Sequence, residues 1–102
     1  MGFLNRRSSS DTTEKVEKEL TIVNRLGLHA RPAAMFVRIA SRHRCEIWVA
    51  KEGEEINGKS IMGLMMLAAG QGSKLRERAV GPDAAQALHD IEELIQSRFN
   101  EE

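Results

Sequence analysis

The segment from Leu26 to Ala33 combines the residue types that phosphoryl chemistry on a histidine requires. Pro32 is tolerated only in the first turn of a helix, so a helix must begin within about three residues before it. His29 therefore falls at or next to the N-cap, where unpaired backbone N–H groups and the positive end of the helix dipole surround its imidazole. That environment disfavours the imidazolium and favours an anion attached to a ring nitrogen.

Arg31 supports the same chemistry, because its planar guanidinium suits the oxygens of a phosphoryl group. A neutral histidine at a helix N-terminus, with an arginine close by, predicts a nucleophile that accepts a phosphoryl group. On spacing alone, the alternative is that His29 is a polar helix cap and Arg31 an ordinary surface residue.

A second pattern, Gly53–Ser60, matches the phosphate-binding loop expression GxxxxGKS. Its context argues against a nucleotide site. Lys51 and Glu52 separate it from the preceding apolar strand, and Glu54 and Glu55 place negative charge where phosphates must lie. We therefore interpret the segment as a hairpin turn followed by a helix cap, and keep a nucleotide-binding protein as an alternative.

Ser60 is expected to cap a second helix that ends at Gly70 or Gly72 and is apolar almost all round. Helices on one face of a sheet cannot bury both sides of such a helix, so part of it should be exposed. The side chains that we assign to the core are Leu64, Leu67 and Ala68. Those that we assign to an exposed partner-binding surface beside His29 are Ile61, Met62 and Met65. Burial of these three in a dimer interface is the alternative.

The other reactive side chains predict no further site and no cofactor. His43 and Cys45 form an H-x-C pair without further ligands, so we predict no metal site there and a strand that begins at Cys45. His89 is expected to be a solvated residue of the last helix. Trp48 is expected on the open face of the sheet, where one aromatic ring is too few to stack RNA bases.

Glycine, proline and the apolar pattern divide the chain into seven elements. The predicted strands are Leu20–Val23, Cys45–Val49, Glu54–Asn57 and Leu75–Val80. The predicted helices begin near His29, at Ser60 and after Gly81-Pro82-Asp83, and the last carries an apolar stripe of Leu88, Ile91, Leu94 and Ile95. The order βαββαβα predicts an α/β (α+β) fold, an open-faced sandwich with a four-stranded, mostly antiparallel sheet and three helices on one face.

The composition fits one domain, which we place at residues 20–102 after a flexible tail at residues 1–19. Fifteen basic and fifteen acidic side chains cancel, so no net charge attracts the chain to nucleic acid or an anionic membrane. The longest apolar run, Ile61 to Ala69, is far shorter than the roughly 20 residues that span a bilayer. A lone cysteine, Cys45, fits a reducing compartment, and we expect a cytoplasmic protein.

Three motifs carry a resemblance to a known family: Leu28–Ala33, Asn57–Leu64 and Gly81–Ala84. Together they resemble HPr, the histidine-containing phosphocarriers of the bacterial sugar phosphotransferase system, over about residues 18 to 99. The resemblance implies the same open-faced sandwich. It also implies that His29 accepts phosphate on Nδ1 from enzyme I and passes it to sugar-specific IIA domains, with Arg31 steadying the group. Such a protein is a carrier rather than an enzyme, and we expect a monomer.

The resemblance further implies a regulatory role for Ser60. In HPr proteins that carry the Lys-Ser-Ile-Met sequence, seen here at Lys59–Met62, the matching serine is the target of HPr kinase/phosphorylase. A serine that only caps the helix is the plain alternative, and the two roles are compatible. Another alternative is a regulatory relative that acts through Ser60 without sugar transport.

Glu77 departs from the family pattern. It stands between Leu75 and Ala79, on the side of the last strand that should face the helices. We expect either a local shift of the strand register or a cationic partner for Glu77.

Overall fold

The computed structural model describes residues 14–101. Its strands are β1 (Lys15–Thr21), β2 (Glu46–Lys51), β3 (Glu54–Asn57) and β4 (Lys74–Val80). Its helices are α1 (Ala30–Ala40), α2 (Ile61–Met66) and α3 (Ala84–Gln96). The sheet order is β1-β4-β2-β3 and every neighbouring pair is antiparallel. The predicted open-faced βαββαβα sandwich is confirmed.

The core lies between one face of the sheet and the three helices. Along β2, the side chains of Ile47 and Val49 are buried, whereas Trp48 points to the opposite, open face and contacts Arg78 there. The apolar stripe predicted for α3 is buried in full: Leu88, Ile91, Leu94 and Ile95. Within the described residues, no helix is long and apolar enough to cross a membrane.

The first strand begins earlier than the predicted Leu20–Val23. Residues 15–19, which we expected in the tail, form the first part of β1. Their charges fit a strand because they face opposite charges on β4, as Glu17 faces Arg78. The earlier part of the predicted tail, residues 1–13, lies outside the described residues.

The second helix is shorter than predicted, because it ends at Met66 rather than at Gly70 or Gly72. The backbone at Ala68 has a φ of +50°, a left-handed conformation that cannot continue an α-helix. The chain therefore turns away from the helix before it reaches Gly70.

This early turn changes which side chains of the segment face the core. Leu64 and Leu67 are buried, as predicted. The assignment of Ala68 to the core is wrong, since Ala68 is exposed and Ala69 is buried in its place. The helical spacing that was used for the assignment no longer applies after the left-handed residue.

Glu77 meets neither expectation, because its strand is in regular register and no hydrogen-bond partner contacts its carboxyl group among the described residues. Lys18 lies opposite it on β1, but the Lys18 ammonium is 2.6 Å from Glu92 on α3. The Glu77 side chain is fully buried. Burial, together with the Glu92 carboxylate, raises the pKa of Glu77 to about 8, and Lys18 opposes the shift.

This buried carboxyl group predicts that the free energy of unfolding falls as the pH rises from about 5 to 8. The folded state keeps the Glu77 proton up to a pKa of about 8, whereas the ordinary value of 4.5 applies after unfolding, so the folded state binds more protons in this window. The slope is up to about 1.4 kcal/mol per pH unit. In Glu77→Gln this contribution should vanish, as urea unfolding at pH 5.5 and 8.5 measures.

The matched control is Glu93→Gln, which changes an exposed carboxylate of α3 and should keep the pH dependence of the parent. The same pH dependence in Glu77→Gln as in the parent would show that Glu77 does not retain its proton.

Candidate functional site

His29 is the N-cap of α1, as the position of Pro32 predicts. Its backbone is extended, with φ −76° and ψ −171°, and its carbonyl accepts the first helical hydrogen bond from the N–H of Ala33 at 3.0 Å. The side chain makes no capping hydrogen bond, and it is 38% exposed. The imidazole is therefore accessible at the positive end of the helix, and its ring nitrogens are not used for capping.

The loop before His29 is held against the segment that follows α2. Gly27 has a φ of +73°, and a Cβ at this position would lie 2.4 Å from the carbonyl oxygen of Ala69. The N–H of Leu28 donates to that same oxygen at 2.9 Å. Only a glycine permits this approach of two backbones, and the approach brings the end of α2 beside His29.

An apolar pocket of about 320 Å³ lies beside the imidazole. Its lining residues are Leu26, Leu28, His29, Met65, Ala68, Ala69 and Gly70. Of the three side chains predicted to form the partner surface, Met65 lines this pocket with His29, and Ile61 and Met62 are exposed on the same helix. Leu26 and Met66 are both 66% exposed, but the sequence did not lead us to assign them to this apolar surface.

The Nε2 atom of His29 lies 2.9 Å from Oε2 of Glu101. The other oxygen of this carboxylate accepts a hydrogen bond from Nδ2 of Asn24 at 3.0 Å, and the same Nδ2 donates to the carbonyl of Gly27 at 2.9 Å. Asn24 is fully buried. The sequence reasoning assigned neither Asn24 nor Glu101 to the site, because no short-range pattern connects residues at opposite ends of a domain.

A tight turn after α3 brings Glu101 to the histidine. The three residues Arg98–Asn100 have positive φ values of 60°, 54° and 59°. Phe99 is fully buried, and the guanidinium of Arg98 donates to the carbonyl of Val23 at 2.7 Å. These two contacts fix the turn against the core and against the loop that carries His29.

Arg31 is exposed in the first turn of α1. It lines a second pocket, of about 240 Å³, together with Arg25, Leu26, Asn100 and Glu101. Two arginines thus line a pocket that is also lined by Glu101, the residue whose carboxylate is bound to His29.

Ser60 is the N-cap of α2, and its Oγ accepts a hydrogen bond from the N–H of Gly63 at 3.0 Å. The predicted cap is confirmed. Glu54–Asn57, inside the GxxxxGKS match, forms β3 and pairs antiparallel with β2. A phosphate-binding loop needs these residues as an open loop between a strand and a helix, so the structure contradicts the nucleotide-binding alternative.

His43 lies between two carboxylates, with Nδ1 3.2 Å from Asp83 and Nε2 3.1 Å from Asp90. The backbone N–H groups of Arg44 and Cys45 also donate to Asp83. Although burial acts to raise it, these bonds together lower the pKa of Asp83 to about 2. Burial and the Asp83 carboxylate raise the pKa of Cys45 to about 11, so this thiol stays protonated. The cluster joins α1 to the start of α3.

His89 is exposed on α3, and its Nε2 is 3.4 Å from Glu93. With Asp90, these side chains place three potential ligand atoms within 4.8 Å of one another. All three already pair with neighbouring side chains, since Asp90 contacts His43, so their arrangement has an explanation without an ion.

A family model described as "PTS HPr component phosphorylation site" matches residues 16–97. The chain belongs to the HPr family. An HPr phosphocarrier from Pseudomonas aeruginosa is 49% identical over 84 residues, which cover 81% of this chain and 93% of that protein. One from Xylella fastidiosa is 45% identical over 87 residues, which cover 85% of this chain and 98% of that protein.

A solved HPr structure has the same fold. The crystal structure of HPr-C-His from Thermoanaerobacter tengcongensis matches with a TM-score of 0.82 and 45% sequence identity, covering 85% of this chain and 98% of that one. Members of this family are phosphocarriers, so the resemblance in the three motifs is confirmed at the level of the family.

The backbone contact at Gly27 predicts that Gly27→Ala lowers stability more than the same substitution at an uncrowded glycine. Gly53→Ala is the matched control, because Gly53 also has a positive φ, +88°, but a Cβ there meets nothing within 4 Å. The control should lose about 1 kcal/mol from backbone strain, and Gly27→Ala at least about 1 kcal/mol more from the clash with Ala69. Urea unfolding of both variants measures the difference, and equal losses would contradict the close approach.

Proposed function

We propose that this chain is a phosphocarrier that accepts a phosphoryl group on Nδ1 of His29 from enzyme I and passes it to sugar-specific IIA domains. The observation that carries the proposal is the position of His29, which is an accessible imidazole at the N-terminus of α1. One ring nitrogen, Nε2, is bound to Glu101, and this leaves Nδ1 as the nitrogen for transfer. Membership of the HPr family supports the same role.

The phosphoryl group gains stabilisation from α1 and from Arg31. A bond forms between Nδ1 and phosphorus while the bond from phosphorus to its donor atom on enzyme I breaks, and the donor atom keeps that electron pair. The first-turn N–H groups of α1 have no helical acceptor and can bind the phosphoryl oxygens. Arg31, exposed in the same turn, adds a planar cation suited to them. Transfer to a IIA domain reverses these steps and regenerates His29.

Three of the exposed apolar side chains of α2 form the docking surface of this proposal: Ile61, Met62 and Met65. Met65 and His29 line one pocket, so a partner that covers the pocket also reaches the imidazole. Flexible thioethers adapt to differently shaped surfaces, which suits a carrier that binds enzyme I and IIA domains in turn. We place this carrier in the cytoplasm as a monomer, without a nucleic-acid partner, membrane insertion or a cofactor.

Replacement of His29 by alanine should abolish labelling of the chain by enzyme I, Mg²⁺ and labelled phosphoenolpyruvate. His89→Ala is the matched control, because His89 is an exposed histidine paired with a glutamate, as His29 is, and it should retain full labelling. His43→Ala should also retain labelling once its folding has been verified. An acid-labile, base-stable label in the parent fits phosphohistidine. Label that persists in His29→Ala would overturn the assignment of the acceptor.

Ser60 is proposed to be a regulatory phosphorylation site for HPr kinase/phosphorylase. It is half-buried at the start of α2, directly before Ile61 and Met62 of the docking surface. A phosphoryl group there adds about −1.5 to −2 charges next to apolar side chains, which opposes docking of a partner. The helix N-terminus tolerates this charge, so the fold itself should persist. A relative that acts only through Ser60, without sugar transport, is the second candidate, and labelling of His29 distinguishes the two.

Ser60→Asp should slow phosphorylation of His29 by at least tenfold, which corresponds to about 1.4 kcal/mol. Its thermal stability should change little, because aspartate is also a good N-cap. Ser60→Ala should lose about 1 kcal/mol of stability with nearly unchanged transfer, since only the bond to Gly63 disappears.

The charge control for this pair is Ser41→Asp, an exposed position at the other end of α1. It adds the same charge at the end of α1 opposite to His29 and should leave the transfer rate unchanged. Transfer to Ser60→Asp at the rate of the parent would restrict Ser60 to its capping role.

A further inference from the structure

The contact between His29 and Glu101 determines which ring nitrogen of a neutral imidazole carries the proton. A neutral imidazole has one N–H group and one lone pair, whereas an ionised carboxylate can only accept a hydrogen bond. Because Oε2 of Glu101 lies 2.9 Å from Nε2, the ring makes this bond only with its proton on Nε2. The lone pair then remains on Nδ1.

Asn24 holds the Glu101 carboxylate in place from inside the protein. Its Nδ2 donates both to Oε1 of Glu101 and to the carbonyl oxygen of Gly27. A flipped amide would turn its oxygen toward two acceptors, so these two bonds fix the orientation of the amide. One oxygen of the Glu101 carboxylate is thus bound to Asn24 and the other to His29.

The backbone that delivers Glu101 is strained. All three residues of Arg98–Asn100 have positive φ, a backbone conformation that residues other than glycine rarely adopt. The buried ring of Phe99 and the bond from Arg98 to Val23 hold this turn in place. Strain of this kind persists only where the surrounding structure enforces it, and it concentrates at functional sites.

We propose that Asn24 and Glu101 are positioning residues for His29, and that they act as a relay in which Asn24 orients the carboxylate and the carboxylate keeps the proton on Nε2. The part of this inference that concerns phosphoryl transfer rests on the proposed function. When the Nδ1 lone pair forms the bond to phosphorus, the ring becomes cationic and retains its Nε2 proton. The Glu101 carboxylate stabilises that charge from the opposite edge of the ring, as the carboxylate of a Ser-His-Asp triad does.

The tautomer can be measured on the unphosphorylated protein, without any partner. Two-bond ¹H–¹⁵N spectra at pH 9 distinguish a ring nitrogen that carries a proton from one that carries a lone pair. In the parent, His29 should be almost entirely protonated on Nε2. In Glu101→Ala, the fraction protonated on Nδ1 should rise at least about threefold, because the charge-assisted bond is lost. An unchanged fraction would overturn the inference.

Glu93→Ala is the matched control, since it removes an exposed carboxylate that is paired with a different histidine, His89. It should leave the spectrum of His29 unchanged. A shift of the His29 tautomer as large as that in Glu101→Ala would contradict a specific role for Glu101.

The relay makes a separate prediction for Asn24, whose effect must pass through Glu101. Asn24→Ala should raise the Nδ1-protonated fraction of His29 in the parent and have no effect in the Glu101→Ala background. If Asn24→Ala does not fold, Asn24→Asp replaces it, because this change keeps the volume and removes the donor. An equal effect in both backgrounds would assign Asn24 a structural role only.

Transfer kinetics separate this inference from the proposed function. With enzyme I as donor, Glu101→Ala should lower kcat at least about threefold with KM unchanged, because Glu101 acts on the ring rather than on docking. If even the parent accepts no phosphate, the proposed function fails, while the tautomer measurement still decides the role of Glu101. A raised KM with unchanged kcat would overturn the role of Glu101 in transfer and make it a docking residue.

Discussion

The whole site depends on one close approach of two backbones, between the loop that carries His29 and the carbonyl of Ala69. The Leu28 N–H bonds to this carbonyl, and Gly27 leaves the space for the contact. The approach places the start of α1 beside the end of α2. A helix N-terminus and an exposed apolar surface are thereby brought together.

The site has an electropositive part at the start of α1 and an apolar part on α2. The helix N-terminus and the exposed Arg31 are electropositive, whereas the exposed methionines of α2 are apolar and adaptable in shape. Met65 and His29 line one pocket, so under the proposed function one partner would cover both the apolar surface and the imidazole. Ser60 caps α2 directly before that surface, so under the proposed function a charge there would affect transfer without contacting His29.

In the described part of the chain, the buried carboxyl group of Glu77 lacks the hydrogen-bond partners that the Glu101 carboxylate has at the site. Glu77 is buried with no hydrogen-bond partner among the residues that the structure describes, and Lys18 bonds to Glu92 instead. Neutralisation by its own proton is how such a carboxyl group avoids the cost of burial, and its raised pKa of about 8 reflects this. His43, in contrast, lies between two carboxylates that hold neighbouring elements together.

The sequence by itself determined the order of elements, the place of His29 at a helix start and the cap at Ser60, because these depend on local rules for proline, serine and apolar spacing. It misplaced the end of α2, where Ala68 adopts a left-handed conformation and the next residue, Ala69, bonds to the loop before His29. It did not reveal Glu101, which reaches His29 through a strained turn at the far end of the chain. Contacts between distant residues form only when the core is assembled, so the tertiary structure alone placed the Glu101 carboxylate against the imidazole.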